Sequence, residues 1–424
     1  MTTDVRTYKV KSIPKATQTA GLIGIYALLL CPFIIATPKS DIGYWIDRLL
    51  QLMSIGLWIG LHIKKSHPIK SEHRLFVYGV LLWWIVLNAI TLLRVPNLQF
   101  TQVYYWLTVW NILLLAELYW QKDYARHLNA LSILLSFLVY LSTVLYILFP
   151  EGLWFDDEWI GAGDKARYLF GNYNQTGVIS LIALMVSGAY TLQTGRGYMN
   201  MLMLSLVSIG TVIAMGSMTS TVGILIVVAY FFLRKIIKHP FLWIGAFLFV
   251  YVAFFAVVVW SGNDIQNWPA LAGFVENVLG KNSTFTMRIY LWLESVVMIL
   301  ESPWTGYGVQ GVEWMVDNIG GSGPHNLWLM ILLVGGVVLC GLFIGIIACI
   351  FVSAAKRNSS QSAFAVVCIC VILLMSLFEA YHFICTFSML IIAYYICVTK
   401  YDKKKKRAVA AVTGDDRNKQ QAEL

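Results

Sequence analysis

The sequence has few charged residues. Only 12% of its 424 residues are Asp, Glu, Lys or Arg, whereas typical soluble domains carry about 25%. By contrast, 58% are hydrophobic, and the mean hydropathy is +0.70. The length would allow two or three soluble domains, but no stretch outside the loops is polar enough to form one. This shortage of charge excludes a soluble protein and indicates a chain that lies mostly within a membrane.

Several chemical signatures are also missing. The chain has no GxxxxGK[ST] phosphate loop, no internal repeat, and no cleavage site after its first apolar run, so no cleavable signal peptide is expected. The seven cysteines all fall inside apolar runs without metal-ligand spacing, which predicts small core residues and no metal site. We therefore expect no cofactor.

The long apolar runs predict an all-α integral membrane protein with about twelve transmembrane helices, because about 20 apolar residues cross the hydrocarbon layer. The predicted spans are residues 18–37, 43–63, 75–93, 102–120, 129–149, 175–194, 201–216, 221–233, 241–260, 326–353, 362–381 and 383–399.

Positive charge sorts by membrane side in this layout. Of the 31 basic residues, 24 lie on the side that holds the N-terminus and six lie on the other side, with Arg48 inside a span. Such a bias predicts a multi-pass protein of the cytoplasmic (inner) membrane with both termini cytoplasmic. The net charge of +9 then reflects topology and contact with anionic membrane lipids, and no nucleic-acid partner is expected.

The layout gives one polytopic membrane domain over residues 1–424 with a basic cytoplasmic tail at 400–424. Two loops face outward, at 150–174 and 261–325, and the second is a large exoplasmic loop between spans nine and ten. Within it, apolar residues recur every three to four positions over 285–300, which predicts an amphipathic helix at the outer leaflet.

Two histidines are predicted on the outer side. His325 follows a glycine-rich turn at the start of span ten, and His382 lies near Glu379 between spans eleven and twelve. Histidine suits proton transfer near neutral pH. The alternative for His325 is a residue that bonds lipid headgroups. Glu379 is predicted to orient an imidazole or a substrate hydroxyl, or else to form an interfacial pair with His382.

Two outer arginines need an explanation, because the outer side is depleted of positive charge. A guanidinium forms bidentate hydrogen bonds to phosphate oxygens, so Arg288 and Arg167 are candidates to bind a phosphorylated substrate. The alternative for each is contact with a lipid headgroup. Asp156, Asp157 and Glu158 offer carboxylates for a metal, but consecutive carboxylates on a loop are more often solvated.

A set of short motifs carries a family resemblance. Thr286-x-Arg288-x-x-x-Trp292, Ser302-Pro303-Trp304-x-Gly306-x-Gly308 and His325-Asn326 before a long apolar helix with Gly335-Gly336 resemble the O-antigen ligase and polymerase superfamily of bacterial membrane proteins. The earlier Arg167-x-x-Phe170-Gly171-Asn172-x-Asn174 is similar to a segment of that family. Their order and membrane side make the set more specific than any single motif.

The resemblance implies a metal-independent glycosyltransferase of class C-type architecture. Such enzymes pass an oligosaccharide from undecaprenyl pyrophosphate to a glycan or lipid-linked acceptor on the outer face. His325 would activate the acceptor hydroxyl, and Arg288 would engage the pyrophosphate. Asn326 and Glu379 are further candidates to bind substrate. The family often has a Ser-Arg pair where this chain has residues 217–220, so one expected phosphate-binding arginine is missing or is replaced by Arg167 or Lys281.

A transporter is the main alternative, either a polysaccharide flippase or another twelve-span carrier. Carriers usually show repeats and ionisable or broken helices at the midplane. This chain offers only Asp47, Arg48 and Glu117 as such residues. A structural scaffold would explain neither the long loop nor its Arg and His. Within the enzyme class, the motifs do not separate a polymerase from a ligase.

Overall fold

The computed structural model describes residues 15–36, 69–95, 100–155, 166–236 and 282–399, with single residues and short stretches between 45 and 60 and between 245 and 253. The helices whose bounds it gives are α1 (Lys15–Ile34), α2 (Arg74–Arg94), α3 (Phe100–Leu115), α4 (Gln121–Leu148), α5 (Tyr173–Thr194), α6 (Tyr198–Ala214), α7 (Met218–Leu233), α8 (Asn282–Glu301), α9 (Val312–Ile319), α10 (Leu327–Arg357), α11 (Ser360–Met375) and α12 (Phe383–Val398). A five-residue π-helix, Ala116–Trp120, joins α3 to α4.

The helices are apolar, as the sequence predicts for a membrane protein. Within the described residues, four helices (α2, α4, α5 and α10) are long and apolar enough to cross a membrane, and six shorter apolar helices accompany them. Each coincides with a predicted span. The predicted spans 43–63 and 241–260 lie mostly outside the described residues, as do most of the 261–325 loop before α8, Lys281, residues 156–165 and the 400–424 tail. The count of twelve spans stays a prediction.

Three helices form the centre of the bundle. Almost every residue of α5, α11 and α12 is buried, because these helices are apolar on all sides. Helix α2, at the periphery of the bundle, instead buries Trp83 and Trp84 on one face and exposes Leu75 and Leu82 on another. That exposed apolar face fits contact with lipid. The seven thiols are free and lie in helices, as expected for core cysteines.

The predicted helix at 285–300 is present as α8. Its buried Trp292 and Ile299 pack with Met315 and Ile319 of α9 and with Leu333 of α10 in a second hydrophobic cluster. The sequence did not predict α9. This cluster holds the end of the large loop against the first half of α10.

Helix α10 is broken at Gly336, where φ is 60° and ψ is −162°. The loop after α8 docks into the break: the backbone N–H groups of Tyr307 and Gly308 donate to Leu333 O and Val334 O, each at 2.9 Å, and Val337 N donates to Pro303 O at 2.8 Å. The loop thus satisfies backbone groups that the break would leave unpaired. The Ser302–Gly308 motif and the paired glycines are therefore two halves of one contact.

One predicted boundary is wrong. The span predicted to reach residue 381 ends at Met375, because Ser376 caps α11 and its carbonyl accepts a hydrogen bond from Leu327 N at 2.9 Å.

The loop 150–174 has secondary structure of its own. It contains two short antiparallel strands, β1 (Trp154–Phe155) and β2 (Ala166–Arg167), in which Trp154 pairs with Arg167.

The break in α10 generates a stability prediction. A methyl group at position 336 would lie 2.3 Å from the carbonyl carbon of Trp304 and would require a left-handed backbone, so Gly336→Ala should lower the melting temperature by several degrees. The matched control is Gly341→Ala in the same helix, where a methyl group meets nothing within 4 Å. Thermal unfolding of both detergent-solubilised variants measures the difference, and equal melting temperatures would contradict the docking described above.

Candidate active site

A carboxylate lies in the turn between α11 and α12. The bond from Leu327 N to Ser376 O ties the start of α10 to the end of α11. The turn that carries Glu379 therefore lies beside the segment that carries His325. Glu379 is only 9% exposed, so its charge needs partners within the protein.

Three separate chain segments supply those partners. Asn174 Nδ2 donates to Glu379 Oε2 at 2.7 Å from the start of α5. Arg288 Nη2, on α8, lies 3.5 Å from the same oxygen, and His325 Nδ1 lies 3.1 Å from Glu379 Oε1. In the part of the chain that the structure describes, these are the polar contacts of the Glu379 side chain. A single carboxylate thus joins α5, α8 and the start of α10.

The members of this cluster differ in exposure. The Glu379 side chain is 11% exposed, whereas those of Arg288 and His325 are 24% and 32% exposed. Glu379 is thus the most buried of these three side chains, and Arg288 and His325 are the more accessible ones. Arg288 and His325 can therefore contact a ligand while the buried carboxylate of Glu379 holds them in place.

The backbone of His325 is strained. Its φ is 46°, a left-handed value that is uncommon for residues other than glycine. The neighbouring bonds account for this conformation: Trp292 Nε1 donates to Pro324 O at 2.8 Å, and Asn326 caps α10 by accepting from Trp328 N and Leu329 N. Strain that the surroundings maintain in this way is typical of functional sites.

The contact with Glu379 also assigns a tautomer to His325. An ionised carboxylate only accepts hydrogen bonds, so His325 Nδ1 carries the proton that it donates to Glu379. In the neutral ring, Nε2 then has the lone pair. A histidine oriented in this way is equipped to take a proton from a hydroxyl group.

A phenol next to the cluster is held neutral. Burial raises the pKa of Tyr381 well above its usual value, and the negative charge of Glu379 adds to this effect. Tyr381 therefore keeps its proton at physiological pH. Of the described side chains that contact Glu379, the imidazole of His325 is the one with a ring nitrogen able to accept a proton.

The structure places two further predicted site residues elsewhere. Arg167 lies in β2, and its Nη1 donates to Ala166 O at 3.3 Å rather than to Glu379. The Asn326 side chain is fully buried, and its oxygen caps α10, while Nδ2 has no hydrogen-bond partner among the described residues. Substrate contacts of these two residues stay predictions.

Two other ionisable residues take structural positions. His382 is the N-cap residue of α12, where its carbonyl accepts from Thr386 N, so the imidazole that Glu379 contacts belongs to His325. Glu117, considered for a carrier, lies in the π-helix and bonds His73 Nδ1 at 2.6 Å and Tyr395 OH at 2.7 Å. These bonds satisfy Glu117 within the protein.

Sequence reasoning missed part of the cluster. The sequence motifs include Asn174 and the segment 217–220 but indicate no role for Asn174 or Ser217, and the structure places Ser217 Oγ 3.0 Å from Asn174 Oδ1. A signal was present: both are polar residues at the start of helices that are mostly apolar. Such residues within a membrane are costly unless they bond one another or a ligand.

The fold and this cluster define a class: a helical multi-pass membrane protein with a buried carboxylate that holds a histidine and an arginine. A family model described as O-antigen ligase matches residues 202–344, about a third of the chain. The match confirms the resemblance to the O-antigen ligase and polymerase superfamily and supports a membrane enzyme of that general type. No curated protein matches the chain.

The matched region contains only part of the cluster. Arg288, His325 and Ser217 lie inside it, whereas Asn174 and Glu379 lie outside it. The hydrogen bonds of Glu379 therefore join the matched region to the flanking helices α5 and α11.

Proposed function

We propose that the protein is a class C-type glycosyltransferase at the outer face of the cytoplasmic membrane. It transfers or polymerises oligosaccharide units from undecaprenyl pyrophosphate onto a glycan or a lipid-linked acceptor. The observation that carries the proposal is the bridge that Glu379 forms between His325 and Arg288. Glu379 contacts both side chains, which supports a site in which His325 accepts a proton next to Arg288 as the phosphate-binding cation.

In this mechanism His325 acts as the general base. Its Nε2 takes the proton of the acceptor hydroxyl while that oxygen forms a bond to the anomeric carbon of the donor. The bond from the anomeric carbon to the pyrophosphate oxygen breaks, and the electron pair leaves with undecaprenyl pyrophosphate. Glu379 stabilises the imidazolium that forms, as the carboxylate does in other carboxylate–histidine pairs. A general base of this kind contributes about 10²–10⁴-fold to the rate.

Arg288 stabilises the leaving group. Only one of its nitrogens contacts Glu379, at the long distance of 3.5 Å, while a guanidinium has five N–H donors in a planar fork. That fork matches two oxygens of a pyrophosphate and balances the charge that develops on it. The energy of the reaction lies in the donor, so the mechanism requires neither a nucleotide nor a metal. Arg167 and Lys281 remain the candidates for a second cation.

The proposal includes an orientation, with both termini in the cytoplasm and the loops 150–174 and 261–325 facing outward. It rests on the bias of 24 basic residues against six. In a cysteine-free background, Asn318→Cys should react with a membrane-impermeant maleimide added to intact spheroplasts, whereas Arg196→Cys should react only after lysis. The reverse pattern would overturn the orientation.

The substitution of Arg288 separates an enzyme from a flippase. We expect Arg288→Ala to abolish glycan assembly and Arg288→Lys to keep part of it, because lysine supplies charge without the planar fork. Undecaprenyl-linked oligosaccharide should then accumulate in the outer leaflet, since export is intact and consumption is blocked. The measurement is extraction of lipid-linked oligosaccharide combined with a leaflet-exposure probe.

The matched control is Arg196→Ala, an exposed arginine in the turn between α5 and α6. It should leave glycan assembly and the lipid-linked pool unchanged. Accumulation confined to the inner leaflet in Arg288→Ala cells would refute the transferase and favour the flippase. Normal glycan in those cells would remove Arg288 from the mechanism.

A further inference from the structure

We infer that Asn174 and Ser217 are positioning residues that hold Glu379, and through it His325, in the reactive arrangement. The inference rests on the proposed function and deepens it. Ser217 Oγ lies 3.0 Å from Asn174 Oδ1, and Asn174 Nδ2 lies 2.7 Å from Glu379 Oε2. The opposite carboxylate oxygen contacts His325 Nδ1. The chain of bonds therefore runs from α7 through α5 to the histidine.

Chemistry fixes the direction of these bonds. The Glu379 carboxylate only accepts, so the Asn174 amide must present its NH₂ group to Glu379 and its oxygen to Ser217. The reverse orientation would set the amide oxygen against the carboxylate. Ser217 must therefore donate its hydroxyl proton to Asn174. That donation prevents the amide from turning over.

The hydroxyl of Ser217 has a second neighbour. Ser217 Oγ donates to Ser220 Oγ at 2.7 Å as well as to Asn174 Oδ1 at 3.0 Å, so it shares its one proton between the two oxygens. Both serines are 1% exposed, so water does not compete for these bonds.

The packing leaves space for this arrangement at one position of α5. A methyl group on Gly177 would lie 2.0 Å from Ser220 Oγ, so a glycine there lets α7 bring its serines close to Asn174. Small residues allow membrane helices to approach in this way. The segment 217–220, where the family often has a Ser-Arg pair, thus has a positioning role in this chain.

The roles of these residues predict a defined kinetic effect. Ser217 is buried, and the half-buried Asn174 directs its amide to Glu379 and Ser217, so their loss should lower kcat and leave KM unchanged. A hydrogen bond to a charged group is typically worth more than a neutral one, so we expect Asn174→Ala to lower kcat about 10- to 100-fold and Ser217→Ala to lower it less. Ser220→Ala should have the smallest effect, because Ser217 keeps its proton for Asn174.

The decisive variant is Asn174→Asp. It places a second carboxylate beside Glu379, in a cluster whose other titratable groups are Arg288, His325 and Tyr381. At low pH the two carboxyls share one proton and recreate a hydrogen bond. At higher pH both ionise and repel each other. The kcat of Asn174→Asp relative to wild type should therefore rise at least tenfold as the pH falls from about 8 to about 5.5.

The assay uses full-length protein in proteoliposomes, with lipid-linked oligosaccharide extracted from cells that express Arg288→Ala as the donor. Asn174→Ala provides the comparison, because it adds no titratable group and its relative kcat should not vary with pH. The matched control is Ser205→Ala, a buried serine whose hydroxyl, within the described residues, bonds Met201 O in its own helix. It should keep wild-type kcat and KM.

The outcomes separate the two levels of the proposal. A pH-independent ratio for Asn174→Asp, or a rise in KM without a fall in kcat, would overturn the positioning role even if His325→Ala is inactive. Full activity of His325→Ala would instead overturn the proposed function. If Asn174→Asp does not fold, Ser217→Ala is tested in its place. A wild-type kcat of Ser217→Ala would overturn the inference. A lower kcat at unchanged KM would support it.

Discussion

The buried carboxylate of Glu379 is the constraint on which the end of the bundle that carries His325 and Arg288 depends. Removal of a charge from water costs several kcal/mol unless hydrogen bonds and an opposite charge compensate. Asn174, Arg288 and His325 provide that compensation from three different segments. Each segment must then occupy one position, because a shift of any of them would leave the charge unpaired. Because the buried carboxylate requires these partners, it also keeps His325 and Arg288 next to each other.

A second constraint acts on His325 through α10, the helix that begins two residues after it. The break at Gly336 lets the Ser302–Gly308 loop bond to the first half of α10, which begins just after His325. The same loop follows α8, which carries Arg288. The two halves of the proposed site are therefore linked both through Glu379 and through the backbone of the loop. This double link explains how a strained backbone at His325 is maintained.

Much of this arrangement could be predicted from the sequence. Apolar runs located the helices, and the predicted outer-side position of His325 and Arg288 identified the accessible members of the cluster. The partner of the imidazole was less clear: Glu379 lies three residues from His382, and only the three-dimensional packing joins it to His325, 54 residues away. The roles of Asn174 and Ser217 also required the structure, because hydrogen bonds between helices leave no periodic pattern. The docking of the loop into α10 could not be predicted either, because the sequence does not show that the Ser302–Gly308 motif and the paired glycines of α10 lie in contact.

The central claim is that Glu379 acts on the reaction through His325, and a double-mutant cycle tests it most directly. The kcat values of wild type, His325→Gln, Glu379→Gln and the double variant are measured on the same lipid-linked donor. We predict that Glu379→Gln lowers kcat strongly when His325 is present and changes it little in the His325→Gln background, because residues that act as a unit are not additive. An equal fold-decrease in both backgrounds would contradict the account and show that Glu379 and His325 act independently.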